Sequence, residues 1–94
     1  MTLQADILIQ FVQKAKGDPN LSPTHISLFF ALYCDWVQNS GQPFNITRNK
    51  IMANSKIRST ATYTRCIYDL KKWGYIEYAP SYHPAFGSRI DFKI

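Results

Sequence analysis

The sequence predicts a mostly α fold that closes on a small β-hairpin, an α+β class. Three observations predict it. Apolar residues recur at helical spacing in three segments between Leu3 and Trp73, with a short further helix expected between the last two. Strong breakers separate most of them: Gly17-Asp18-Pro19-Asn20, then Asn39-Ser40-Gly41-Gln42-Pro43. After Gly74 the period changes to two, over residues 75–79 and again over residues 89–94. The chain has 94 residues and is 46% hydrophobic, which fits one small domain, 1–94, with its own core.

The first helix is expected over residues 3–16. Leu3, Ile7, Phe11 and Ala15 fall four apart, with Leu8 and Val12 beside them. Ser22-Pro23 opens the second, because serine caps well and proline needs no donor at the first helical position. Its stripe is Ile26, Phe29, Phe30, Tyr33 and Val37, widened by Leu28 and Leu32. That width marks a central, largely buried helix. Residues 44–46 read as a short extended segment. Thr47 is the expected cap of a short third helix through about Asn54, with Ile51 and Met52 inward. Residues 55–59 form a turn with Ile57 as its buried plug. A fourth helix runs from about 60 to 73, with Tyr63, Ile67, Leu70 and Trp73 on one face. Lys71 and Lys72 suit its negative end, and Gly74 its left-handed terminus.

The hairpin follows at 75–94. Ile76 and Tyr78 alternate with Tyr75, Glu77 and Ala79, and Ile90, Phe92 and Ile94 with Arg89, Asp91 and Lys93. The intervening Pro-Ser-Tyr-His-Pro-Ala-Phe-Gly-Ser is too long for a two-residue turn and should protrude. A short helix, a turn and a longer helix at 47–73, followed by a hairpin, describe a winged helix-turn-helix with an additional N-terminal helix at 1–16.

Charge is unevenly placed. Residues 1–46 carry a net of −1 and residues 73–94 balance. Residues 47–72 hold seven cations against Asp69 alone, a net of +6. A clustered excess of this kind attracts a polyanion. In a helix-turn-helix the second helix presents its front to base edges, which requires small or hydrogen-bonding side chains there. Ser59, Thr60, Thr62, Thr64 and Arg65 meet that need. Arg48, Lys56 and Arg58 are placed to grip phosphates, and His83 and Arg89 to contact DNA from the wing. The competing role for Ser59 or Thr60 is simply to cap the helix.

Other chemistry has little support. Two cysteines, Cys34 and Cys66, without a CxxC pair, are expected as buried small hydrophobes. Two unclustered histidines give no zinc site, and His25 is expected to bond locally. Acidic residues are few and scattered, so no enzyme, metal or cofactor is expected. No apolar run reaches membrane-spanning length and the first residues lack a signal-peptide pattern, so a cytoplasmic chain without a membrane partner is expected. Ile9 adds apolar surface to the first helix beyond one packing face. It marks a candidate contact for a homodimer or another protein, the alternative function of such folds.

Residues 47–94 resemble a winged helix domain of bacterial regulators and replication initiators. The pattern is T-Y-x-x-x-I-x-x-L-x-x-x-G-Y-I in TYTRCIYDLKKWGYIEY. With LSPTHISLFFALY and PSYHPAFGSRI, residues 21–94 are similar to small stand-alone winged helix proteins of bacterial mobile elements. The resemblance implies double-stranded DNA as partner, transcription regulation or a replication or recombination role, the recognition position at Ser59, Thr60, Thr62, Thr64 and Arg65, and a wing at about 82–89. The chain departs from many such proteins in having no glycine in the turn before the recognition helix.

Overall fold

The computed structural model describes residues 3–39, 44–80 and 87–93. In chain order they form α1 (Leu3–Lys16), α2 (Pro23–Gln38), β1 (Phe44–Ile46), α3 (Arg48–Ser55), α4 (Thr60–Lys72), β2 (Ile76–Ala79) and β3 (Ser88–Phe92). The expected α+β class is observed, and the strands form a three-stranded antiparallel sheet in the order β1-β3-β2. No helix among the described residues is long and apolar enough to cross a membrane.

The sheet is larger than the expected hairpin. The segment at 44–46 pairs with β3, Phe44 opposite Ile90 and Ile46 opposite Ser88, so β3 becomes the central strand. On its other side Ile76 faces Phe92 and Tyr78 faces Ile90. Ile46, Ile76 and Ile90 are all buried beneath the helices.

The core joins every element. Ile7 and Phe11 from α1 meet Leu28, Phe29, Leu32 and Trp36 from α2, and Cys66, Ile67 and Leu70 from α4 close it from the other side. Phe11 stacks on Phe29 at 3.6 Å and meets Tyr75 edge-on at 5.6 Å. Phe92 of β3 packs against Phe29 at 5.0 Å and Trp36 at 5.2 Å. Aromatic rings contribute large buried areas here, with offset or edge geometry preferred. Ile57 is the plug expected, 6% exposed.

Several expectations need correction. The inward face of α2 is rotated: Phe30 and Val37 are exposed, whereas Trp36 and even Asp35 are buried. The Asp35 carboxylate lies 3.7 Å from Lys50 Nζ on α3, which offsets its burial. Val12 is exposed on α1. Cys34 is exposed and only Cys66 is buried, because Cys34 lies on the solvent side of the rotated α2. Tyr75 does not alternate outward from Ile76. It lies in the bend before β2, fully buried, and its hydroxyl donates to Asp18 Oδ2 at 2.7 Å. Lys14 Nζ sits 4.3 Å over that ring. These contacts fasten the end of α1 to the start of β2.

Candidate nucleic-acid interface

The front of α4 is built by its cap and by the turn before it. Ser59 is the N-cap and its Oγ accepts from the Thr62 N–H at 3.2 Å. The capping role for Ser59 is therefore filled. From this start the helix buries Tyr63, Cys66, Ile67 and Leu70, and it exposes Thr60, Ala61, Thr64, Arg65 and Tyr68. Thr62 is partly buried. Cys66 belongs to the packing face, while Trp73 is only partly buried at its end.

The turn has an unusual lysine. Ile57 N–H donates to Met52 O at 3.0 Å, and Lys56 N–H to Ala53 O at 3.3 Å. That is the Schellman closure, with Ile57 and Met52 supplying its apolar contact. Lys56 holds the left-handed position at φ 63 and ψ 25, where glycine is favoured. The end of α4 closes the same way, Tyr75 N–H to Leu70 O at 2.9 Å and Gly74 N–H to Lys71 O at 3.2 Å. There the position is held by Gly74, at φ 82. The glycine missing from the turn is thus replaced by a cation.

Helix α2 supports this turn. Ser27 Oγ donates to Ser55 O at 2.5 Å, satisfying a terminal carbonyl of α3. The buried Ser55 hydroxyl donates to Ile51 O at 2.7 Å. His25 makes the local bonds expected and one longer bond. Its Nδ1 accepts from Ser22 N–H at 3.0 Å, so the proton resides on Nε2, which donates to Asp69 Oδ2 at 2.9 Å. Ser22 Oγ lies 2.7 Å from Nδ1 and also accepts the His25 N–H at 3.3 Å. The serine is held as a helix cap, and the array is a joint between α2 and α4. It also turns Asp69, the one acid of the basic segment, toward α2.

The remaining cations are left open. Among the described residues Arg48, Lys56, Arg58 and Arg65 are exposed and take part in no ion pair. Two grooves collect the sequence-predicted residues. The first, about 360 Å³, runs between the α3–α4 turn and the start of α2, bringing Lys56, Arg58, Ser59 and Thr62 beside Pro23 and Thr24. The second, about 500 Å³, brings Arg48 and Thr64 beside Asn49, Tyr63, Tyr78 and Ser88. Thr60 and Arg65 stand on the exposed helix surface and line neither groove. Arg89 lies elsewhere, in a third groove of about 540 Å³ on the sheet with Lys71, Lys93, Glu77 and Asp91. Among the described residues neither acid forms an ion pair with Arg89. His83 lies outside the described residues.

The sequence reading missed Thr24, Asn49 and the polar end of Tyr63. Apolar periodicity counts a tyrosine as a ring and is blind to where its hydroxyl emerges. Burial pushes Tyr63 up to about 12, reinforced by Tyr78 and opposed by the Arg48 charge, so its hydroxyl remains a donor near neutrality. Among the described residues no group of three or more His, Cys, Asp or Glu side chains gathers as metal ligands would. Comparison with family models, curated proteins and solved structures gives no match.

Proposed function

We propose that the chain is a winged helix protein that binds double-stranded DNA, as a transcriptional regulator or a replication or recombination accessory factor. In this reading α3, the turn and α4 form the helix-turn-helix. Helix α4 enters the major groove, and the segment between β2 and β3 is the wing on backbone or minor groove. The observation that carries the reading is the front of α4. Small or polar Thr60, Ala61 and Thr64 are exposed there with Arg65, beside exposed Lys56 and Arg58 that have no acidic partner among the described residues. The opposite side of the same helix is core. Phosphate contacts by such cations set affinity and register, while the groups at the helix front read base edges.

Titration of a labelled mixed-sequence duplex, followed by fluorescence anisotropy, tests this. The variant combining Lys56→Ala, Arg58→Ala and Arg65→Ala should bind at least tenfold more weakly, at about 1.4 kcal/mol per factor of ten. Its circular dichroism should match that of the parent. Equal binding by the two proteins would refute the assignment.

A second reading, a protein-interaction module or homodimer, is favoured by exposed apolar groups on α1 and α2. Ile9 is 39% exposed, Val12 44%, Phe30 40% and Val37 39%. The Phe30 ring meets Phe11 edge-on at 6.2 Å, which places its patch next to α1. Such a module would tolerate loss of Arg65 and lose its partner on Ile9→Ser with Val12→Ser. Sedimentation of that double variant beside the parent separates the two: a shared monomer mass removes the homodimer.

A further inference from the structure

We infer that Tyr68, in the middle of α4, is a specificity-determining residue whose ring covers the 5-methyl group of a thymine in the major groove. The inference rests on the DNA-binding reading. It adds a residue that the reading does not contain and the kind of base which that residue selects.

Packing leaves α4 one open face. Tyr63, Cys66, Ile67 and Leu70 are buried. Ala61, Arg65, Tyr68 and Lys72, spaced by four, three and four residues, form the ridge on the opposite side, and all four are exposed. Ser59 is used as the cap and Thr62 is partly buried, so neither belongs to this ridge. Tyr68 stands between its two cations. Among the described residues it is the most exposed large hydrophobic side chain, at 45%. In the DNA-binding reading α4 enters the major groove with its core face turned away, so this ridge is what meets the base edges.

The ring is also held in place. It meets the Tyr78 ring of β2 edge-on, with centroids 5.4 Å apart and planes at 89°. Tyr78 in turn packs against the core, and its hydroxyl lies 3.3 Å from Ser88 Oγ on β3. The sheet thus steadies an exposed side chain, and a ring ordered beforehand loses less freedom on contact. The chemistry of the groove then selects the base. Thymine presents a methyl group there, whereas the other recognition groups of the bases are hydrogen-bond donors and acceptors. An apolar ring gains by covering that methyl group. Guanine suits Arg65, and cytosine suits a carboxylate. The one acid of α4, Asp69, is bonded to His25 instead.

The test couples the residue to the methyl group. The parent protein selects its site from a randomised duplex pool, and each thymine of that site is replaced singly by deoxyuridine, which removes only the methyl group. Anisotropy then measures binding of every duplex by the parent, Tyr68→Phe and Tyr68→Ala, with thermal melting as the control for folding. Tyr68→Gln stands in for the alanine variant if melting shows that variant unfolded. At one thymine the replacement should weaken binding by the parent and by Tyr68→Phe roughly fourfold, the worth of one buried methyl-sized group. Tyr68→Ala should bind the two duplexes equally. A tyrosine that served only to pack against Tyr78 would lower the melting temperature on truncation and leave the thymine preference unchanged. The same preference in Tyr68→Ala as in the parent therefore overturns the inference. So does a parent indifferent to every replacement, or a pool from which no site emerges. In those cases weaker binding by the Lys56, Arg58 and Arg65 variant leaves the main reading intact. A parent that binds no duplex at low salt removes both.

Discussion

Lys56 and Gly74 occupy the same position in two closures of the same kind, and only one is glycine. A side chain in the left-handed region costs roughly 1 kcal/mol relative to glycine. At Lys56 that cost is retained beside the proposed DNA surface, which is where backbone strain tends to persist. Lys56→Gly is therefore predicted to raise stability by about 0.5–1 kcal/mol in urea unfolding while weakening duplex binding. A variant that gains stability and binds as tightly as the parent would make the lysine incidental. Gly74→Ala should do the reverse to stability, losing about 1 kcal/mol. Its added carbon meets nothing closer than Lys14 Nζ at 3.7 Å, so conformation rather than collision sets the effect. The glycine was legible because its position follows directly from the end of a periodic helix. Lys56 was legible as a cation but not as a strained one, since backbone angles at a turn depend on how the next segment packs, here through Ile57 and Met52.

Titration at single residues gives the pH profile. Asp18 is held below its ordinary value of 3.8, chiefly by the Tyr75 hydroxyl and then by the Asn20 N–H. Its contribution is present above that value and is lost as pH falls below it. Tyr75 is pushed well above its ordinary 10.0, by burial first and then by Asp18. Tyr63 is raised in the same direction, to about 12. For both phenols the contribution is complete below 10.0 and declines as pH rises from there toward 12. Thermal midpoints should therefore fall at both extremes, and Asp18→Asn should blunt the acid limb. An acid limb identical in Asp18→Asn would remove Asp18 from the account.

At the scale of elements, the sheet depends on Gly87. Its φ is 63, and a Cβ there would stand 2.3 Å from Ile46 O, a backbone atom of β1. Relief requires β1 to move away from β3, so Gly87→Ala is predicted to cost roughly 2–3 kcal/mol. Amide exchange should accelerate first at residues 44–46; uniform acceleration across the fold would contradict this. Helices α1, α2 and α4 and the two hairpin strands were legible because each carries a long periodic pattern. The strand β1 was legible only as extended, because three residues cannot reveal a partner more than forty positions away. The rotation of α2 was hidden for a different reason. Most of its side chains from Ile26 to Val37 are apolar, so periodicity did not decide between Val37 and Trp36, and contact with Phe92 did. The proposed site divides likewise. The cations and hydroxyls of α4 are local features, whereas the groove joining Tyr63 to Arg48, Tyr78 and Ser88 exists only once α3, α4 and the sheet are assembled.

At the scale of the whole molecule, one segment supplies the excess charge and the fold keeps it accessible. Asp69 is turned toward His25, and Asp35 lies near Lys50. Arg48, Lys56, Arg58 and Arg65 are left exposed and outside any ion pair among the described residues, while α1 is fastened to β2 through Phe11, Lys14 and the Tyr75–Asp18 bond. The central claim is that these cations form a polyanion surface, and salt dependence tests it most directly. Duplex affinity of the parent protein should fall with a log–log slope of roughly −4 to −5, the value for four to six neutralised phosphates. In the Lys56→Ala, Arg58→Ala, Arg65→Ala variant the slope should flatten by about 2.7, at 0.9 per lost contact. A parental slope near zero, or the same slope in both proteins, would contradict the claim.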